Sequence, residues 1–176
     1  MAMHYIATAT STGSSDLRFS NIPQTFQHLQ IRYFLRSTNS PATTDFSFMR
    51  FNSDFTAGNY ASHWVAGDGA TAFSDKQTGT NYAFGTIIPG GGAATNLYGA
   101  GIVDIYDYSN TSKNKTFKII GGFDSNGTGS ARLVSGLWLS TSGITDIYCT
   151  SPNNYSAAGS IATLYGFTSN PIATGE

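Results

Sequence analysis

Glutamate occurs once in this chain, at the last position, Glu176. Together with Lys, Ala, Leu, Gln and Arg it is what solvent-facing helix positions are normally made of, so helices have little material to form from. Ser, Thr, Asn, Gly, Tyr and Phe fill the space instead, and these are residues of strands and tight turns. The same scarcity of carboxylates thins out the acid/base chemistry open to the chain. An all-β fold is therefore the first expectation.

A chain of 176 residues falls in the single-domain range and buries roughly 70% of the surface its unfolded form exposes. Nine basic and ten acidic residues leave a formal charge of -1, too little to gather phosphate backbones or anionic lipid. Neither nucleic acid nor membrane is expected as a partner. Charged residues are 11% of the chain, against about a quarter in an average protein, so hydroxyl and amide groups must carry the surface. Cys149 is the only cysteine, which excludes an intrachain disulfide and a Cys-based zinc site. The N-terminus, Met1-Ala-Met-His-Tyr-Ile, lacks the basic and apolar regions of a secretory signal, and no run approaches the ~18 apolar residues of a membrane span. Synthesis in a cytoplasm is expected. The sequons at Asn110, Asn114, Asn126 and Asn154 are then expected to stay unmodified.

Apolar residues recur with period two in short segments separated by Gly, Asn, Asp or Pro. From His28 to Arg36, Leu29, Ile31, Tyr33 and Leu35 share one face, and Gln30, Arg32 and Arg36 the other. Further strands are predicted at Tyr5 to Thr10, Phe46 to Phe51, Tyr60 to Ala66, Tyr82 to Ile88 and Gly101 to Tyr108. Thr116 to Ile120 pairs with the last of these as a hairpin. Asn126-Gly127 is a strong hairpin turn, and after it Leu133, Ser135, Leu137 and Leu139 line one face with Trp138 on the other. Ile144 to Cys149 and Ile161 to Phe167 close the series. About eight to ten strands without a helix predict an antiparallel two-sheet sandwich, jelly-roll-like. The expected organisation is an N-terminal arm or first strand over residues 1–16 and a single β-sandwich domain over 17–176.

A glycosidase needs two convergent carboxylates. Asp104 and Asp107 lie three apart on a predicted strand and point to opposite faces. Asp45, Asp54, Asp68, Asp75, Asp124 and Asp146 sit beside predicted turns, where Asp caps backbone. His4, His28 and His63 lack metal-ligand spacing, and Cys149 reads as a small buried hydrophobe. Gly90-Gly91-Gly92 has no following Lys-Ser/Thr and reads as a turn. The expectation is no catalytic, cofactor-binding or metal-ligating residue. Most of the Phe are expected in the core, Trp64 and Trp138 as core anchors or, as the lesser alternative, interface residues, and the tyrosines of Asp104-Ile-Tyr-Asp-Tyr on the outward face, where they could serve carbohydrate stacking or protein contact.

Several stretches occur together: Ser20-Asn-Ile-Pro-Gln-Thr-Phe-Gln-His-Leu-Gln-Ile-Arg, Arg50-Phe-Asn-Ser-Asp, Asn59-Tyr-Ala-Ser-His, Gly67-Asp-Gly, Ile105-Tyr-Asp-Tyr-Ser-Asn-Thr, Ser135-Gly-Leu-Trp and Leu164-Tyr-Gly. In this order they resemble small structural proteins of tailed bacteriophages, from about Ser20 to Phe167. The resemblance implies a jelly-roll-like fold, a place in the virion, symmetric homo-oligomers and no transferable catalytic motif. It includes capsid decoration (cement) proteins and parts of tails or fibres. The absence of a repetitive shaft favours decoration: a non-enzymatic protein, expected as a trimer, on the outer capsid surface with the major capsid protein as partner. A carbohydrate-binding or receptor-binding module on the tail is the alternative, and a polysaccharide depolymerase a third reading disfavoured for want of paired acids.

Overall fold

The computed structural model describes residues 2–151 and 155–168; Asn154 and Glu176 lie outside them. Within that range the chain is built of strands: β1 (Ala2–Thr10), β2 (Leu17–Phe19), β3 (His28–Leu35), β4 (Thr44–Phe51), β5 (Tyr60–Gly67), β6 (Ala72–Thr80), β7 (Ala83–Pro89), β8 (Gly99–Tyr106), β9 (Lys115–Asp124), β10 (Gly129–Trp138), β11 (Ile147–Thr150) and β12 (Ile161–Thr168). Eight form one antiparallel sheet in the order β1-β12-β3-β8-β9-β10-β5-β6, and four form a second, β2-β11-β4-β7. Early strands pair with late ones (β1 with β12, β2 with β11, β5 with β10). The chain thus winds as a folded-back ribbon that crosses repeatedly between the sheets, with β5–β6 and β8–β9–β10 running on within the large one, the jelly-roll-like sandwich anticipated from the sequence.

Two strands beyond the ten expected are present. β2, Leu17-Arg18-Phe19, alternates apolar and polar but over three residues only, too few to be recognised as a period, and β6 is an edge strand whose residues are nearly all exposed, so it carries no apolar alternation. Elsewhere alternation and burial coincide. Leu29, Ile31, Tyr33 and Leu35 of β3 are all buried. The β8–β9 hairpin joins Gly101 to Gly121 and Ile105 to Phe117. Between β9 and β10, Asn126 and Gly127 both have positive φ (55° and 103°) and Ser125 donates its N–H to the Thr128 carbonyl at 2.6 Å, the backbone that an Asn-Gly step supplies at least cost.

The core is an aromatic cluster between the sheets. Phe51 of β4 lies 5.5 Å from Trp138, 5.8 Å from Phe117 and 6.2 Å from Tyr60, centroid to centroid, and all four are buried. Glycines on neighbouring strands make room for such rings. A Cβ at Gly136 would stand 1.9 Å from Phe117, its cross-strand partner. One at Gly101 would stand 2.2 Å from the ring of Tyr33, whose hydroxyl reaches Thr86 of the opposite sheet at 2.6 Å. Side chain on one strand and vacancy on the next help to fix the register, because a two-residue slip would set Phe117 against Val134 or Trp138 and take Tyr33 off the vacancy at Gly101.

The expectation that most Phe are core is corrected. Phe19, Phe48, Phe51, Phe84 and Phe117 are buried, but Phe34, Phe46, Phe55 and Phe73 are exposed and the remaining three are half-buried. Tyr108 is a second correction: it is fully buried and donates its hydroxyl to the Pro23 carbonyl. The strand has already ended at Tyr106, and Asp107, at φ 47°, turns the chain so that Tyr108 points into the core.

Candidate functional site

Most of the aspartates among the described residues serve the fold. Asp54 accepts from Trp138 Nε1 at 2.7 Å, Asn59 Nδ2 at 2.8 Å and the Thr56 N–H at 2.9 Å. Burial opposes its charge, yet these donors outweigh it and hold its pKa down at about 2. Asp45 is buried, accepts from the hydroxyls of Ser37 and Ser151 and receives the Phe46 N–H. Asp146 holds Arg18 at 2.8 Å. Asp104 faces outward on β8 and takes the Gln30 amide at 2.8 Å, while Asp107 in the following turn meets Lys113 at 3.1 Å and His28 at 3.6 Å. Asp75 accepts the N–H of Lys76 at 2.7 Å.

Asp68 and Asp124 come together, in a pocket of about 450 Å³ at one end of the large sheet. Asp68 accepts the N–H groups of Thr71 and Ala70, which push its pKa down, the wrong direction for a proton donor. Asp124 receives the Asn126 N–H at 2.7 Å. Among the described residues no group of three or more His, Cys, Asp or Glu could hold a metal.

The other singled-out residues separate. His4 packs on Phe26, His28 accepts the Asp107 N–H at 3.0 Å, and His63 faces outward on β5. Cys149 is buried and its thiol is pushed up to about 12 by burial. Trp138 is core, as expected. Trp64 is half-buried, stacked on Phe84 at 4.8 Å. With Phe84 and Phe46 it encloses Arg132, whose guanidinium carbon lies 4.9–5.5 Å from the three rings. That cation rests on aromatic faces instead of on a carboxylate, and burial pushes its pKa down. Gly90 and Gly92 pack against the carbonyls of Ala42 and Pro41. Arg36 binds the carbonyls of Gly91, Ala93, Ala94 and Leu97, so this turn is closely held.

What remains without a role in the fold is the outer face of the large sheet. Register places Ile102, Ile120, Leu133 and Val65 side by side on four consecutive strands, β8, β9, β10 and β5. They are 36%, 59%, 49% and 51% exposed. One step along each strand on the same face lies a small residue: Ala100, Gly122, Ala131 and Gly67, likewise in register. An apolar ridge therefore runs across the sheet beside a furrow. On the ridge's other side the row is polar, with Asp104, Lys118, Ser135, His63 and Lys76. Isolated exposed apolar residues are ordinary; a contiguous row across four strands marks contact with something.

Alternation analysis passes over this ridge, although its signal is in the sequence. Ile102-Val103, Ile119-Ile120, Leu133-Val134 and Trp64-Val65 are apolar doublets, and in a strand a doublet puts one apolar side chain on each face. The predicted leucine face of β10 is the outward one, Arg132, Val134, Gly136 and Trp138 being its buried residues.

No family model and no curated protein matches the chain. Among solved structures it is similar to the CBM40 of the Ruminococcus gnavus IT-sialidase, at TM-score 0.35 and 9% identity over 93% of this chain and 91% of that one. It is also similar to the PL-14 alginate lyase of Aplysia kurodai, at TM-score 0.32 and 9% identity over 90% and 84%. Likenesses this weak carry no information on what the chain does.

Proposed function

We propose that the chain is a non-enzymatic structural protein of a virion, added to the outside of a capsid shell made of the major capsid protein. The observation that carries this is the ridge of Ile102, Ile120, Leu133 and Val65, exposed on a broad sheet face of a chain that is poor in charge, which marks the chain as one that assembles with other protein chains. A surface of that kind is suited to lasting contact between proteins. The carboxylates engaged in caps, latches and ion pairs, and the resemblance to tailed-phage structural proteins, support the same reading. Binding only the assembled shell stabilises it by mass action. The test is to locate the labelled chain on purified particles and to compare the melting of shells with and without it. Label over the capsid and a lowered shell melting temperature in its absence are expected, and label confined to the tail refutes decoration.

One observation favours a carbohydrate-binding reading as the second. Tyr5 and Tyr165 form an edge-to-face pair at 6.4 Å, Arg32 lies 5.6 Å over Tyr165, and a shallow groove of about 380 Å³ runs beside them. Stacking aromatics beside a guanidinium suit an acidic sugar. A glycan array probed with the whole chain separates the two readings.

A further inference from the structure

The ridge and furrow are complementary to each other, and we infer that the outer face of the large sheet is the interface of a two-fold dimer, occupied by a second copy of this chain. The inference rests on the structural role proposed above and names the first partner of that face. Consider a half-turn about a line lying in the face, crossing the strands between the two rows. It returns each strand antiparallel over its own copy and sets each ridge residue over the small residue two positions away. Ile102 then meets Ala100 of the second copy, Ile120 meets Gly122, Leu133 meets Ala131 and Val65 meets Gly67. The match holds on all four strands because the registers of β8, β9, β10 and β5 keep both rows aligned. On β3 the same operation lays Arg32 over the ring of Phe34, which is 57% exposed, a cation–π contact.

Charge agrees with shape. Two residues beyond the ridge are Lys118 on β9, and Lys76 in the same row on β6. Two residues beyond the furrow on β9 is Asp124, and one residue beyond it on β5, in the turn that follows, is Asp68. The half-turn brings Lys118 over Asp124 and Lys76 over the turn that carries Asp68. Exposed pairs of this kind add little affinity, but they select register and orientation.

The area suffices. Eight strands about 4.8 Å apart and four same-face rows about 6.8 Å apart span roughly 700 Å² in projection, close to the about 800 Å² each partner contributes to a standard interface. Sheets packed face to face align at about −30°, so the match is best near the axis, where the ridge lies. A two-fold contact of this kind closes on itself, leaving the sandwich ends and the outer surface of the small sheet free to meet a shell.

Sedimentation equilibrium on the whole chain tests this, with the double variant Ile120→Asp/Leu133→Asp and, as a control, Tyr155→Ser, which alters an exposed residue outside the large sheet. The unaltered chain and the control are expected at twice the 18.7 kDa chain mass. The double variant is expected as a monomer, its association weakened about 100-fold or more, as for central interface contacts. Its thermal melt, taken at a concentration where both proteins are monomeric, should match that of the unaltered chain, since both positions face away from the core. A second variant, Lys76→Glu/Lys118→Glu, is expected to weaken the pair at low salt and to lose that effect at high salt. A monomer at tens of micromolar, a trimer, or a dimer that survives Ile120→Asp/Leu133→Asp overturns the inference. A monomeric chain that still coats shells refutes the pairing and leaves the structural role standing; a ridge-dependent dimer absent from particles does the reverse.

Discussion

Asp54 offers a quantitative test of how the core is fastened. Its carboxylate joins the turn after β4 to Trp138 at the end of β10, and its pKa of about 2 compares with 3.8 for an ordinary aspartate. A shift of that size corresponds to roughly 2 kcal/mol, and because the group is partly in contact with water, about 1–2 kcal/mol is the expected contribution. The folded-state pKa is the depressed one, so the stabilisation is fully present above the unfolded value and is lost as pH falls from about 5 toward 2. Asp54→Asn keeps the shape and removes the charge. Urea unfolding followed by tryptophan fluorescence should find the variant about 1–2 kcal/mol less stable at pH 7, with the gap closing as pH approaches 2. A gap of the same size at pH 7 and pH 2 refutes the electrostatic account, because lost packing does not titrate.

The remaining expectations concern packing and the held turn. Gly136→Ala drives a methyl into the Phe117 ring and is expected to cost about 2–3 kcal/mol as overpacking; Phe117→Leu in the same chain should recover part of it, and urea titrations of the two single variants and the double variant measure the coupling. Arg36→Ala strips four carbonyls of their donor, and hydrogen exchange should rise at the N–H groups of Gly91 and Gly92 while the β3–β8 ladder stays protected. Cys149, with its thiol pushed up to about 12, should resist a thiol reagent at pH 8 in the folded chain and react at once in denaturant.

The glutamate deficit and the period-two alternation made the sandwich legible, since both follow from one face of each strand being buried. β6 was not legible for the same reason inverted: its residues are nearly all exposed, and it is held by backbone bonds to β5, which any sequence can make. Tyr108 shows how a single left-handed residue defeats alternation, because Asp107 ends the strand and resets which side faces in. The vacancies at Gly101 and Gly136 needed register, which depends on partners far away in sequence. The outer ridge lies between these cases. Its doublets stood in the sequence, but only strand order shows that four of them fall in one row.

Why a sheet of this kind should associate through its face and not its edges can be argued from the edges themselves. An exposed edge strand offers unpaired backbone groups to any other chain, and proteins blunt it with charge, bulges or short length. Here β6, at one end of the large sheet, carries Asp75 and Lys76 near its middle and Gly79 at φ 74° near its end, with a register irregularity opposite Tyr60 and Ala61. At the other end, β1 breaks register between Tyr5 and Ala7. Both interruptions oppose the long regular pairing through which sheets add to one another without limit. The face carries no such device across its centre, where the ridge and furrow are continuous over four strands. Replacing Asp75 and Lys76 by Val should therefore raise light scattering on prolonged incubation through open-ended edge pairing, whereas Ile120→Asp/Leu133→Asp should lower association without producing larger species. If the ridge variant instead formed aggregates and the edge variant stayed dispersed, the division of labour between edge and face would be the reverse of the one argued here.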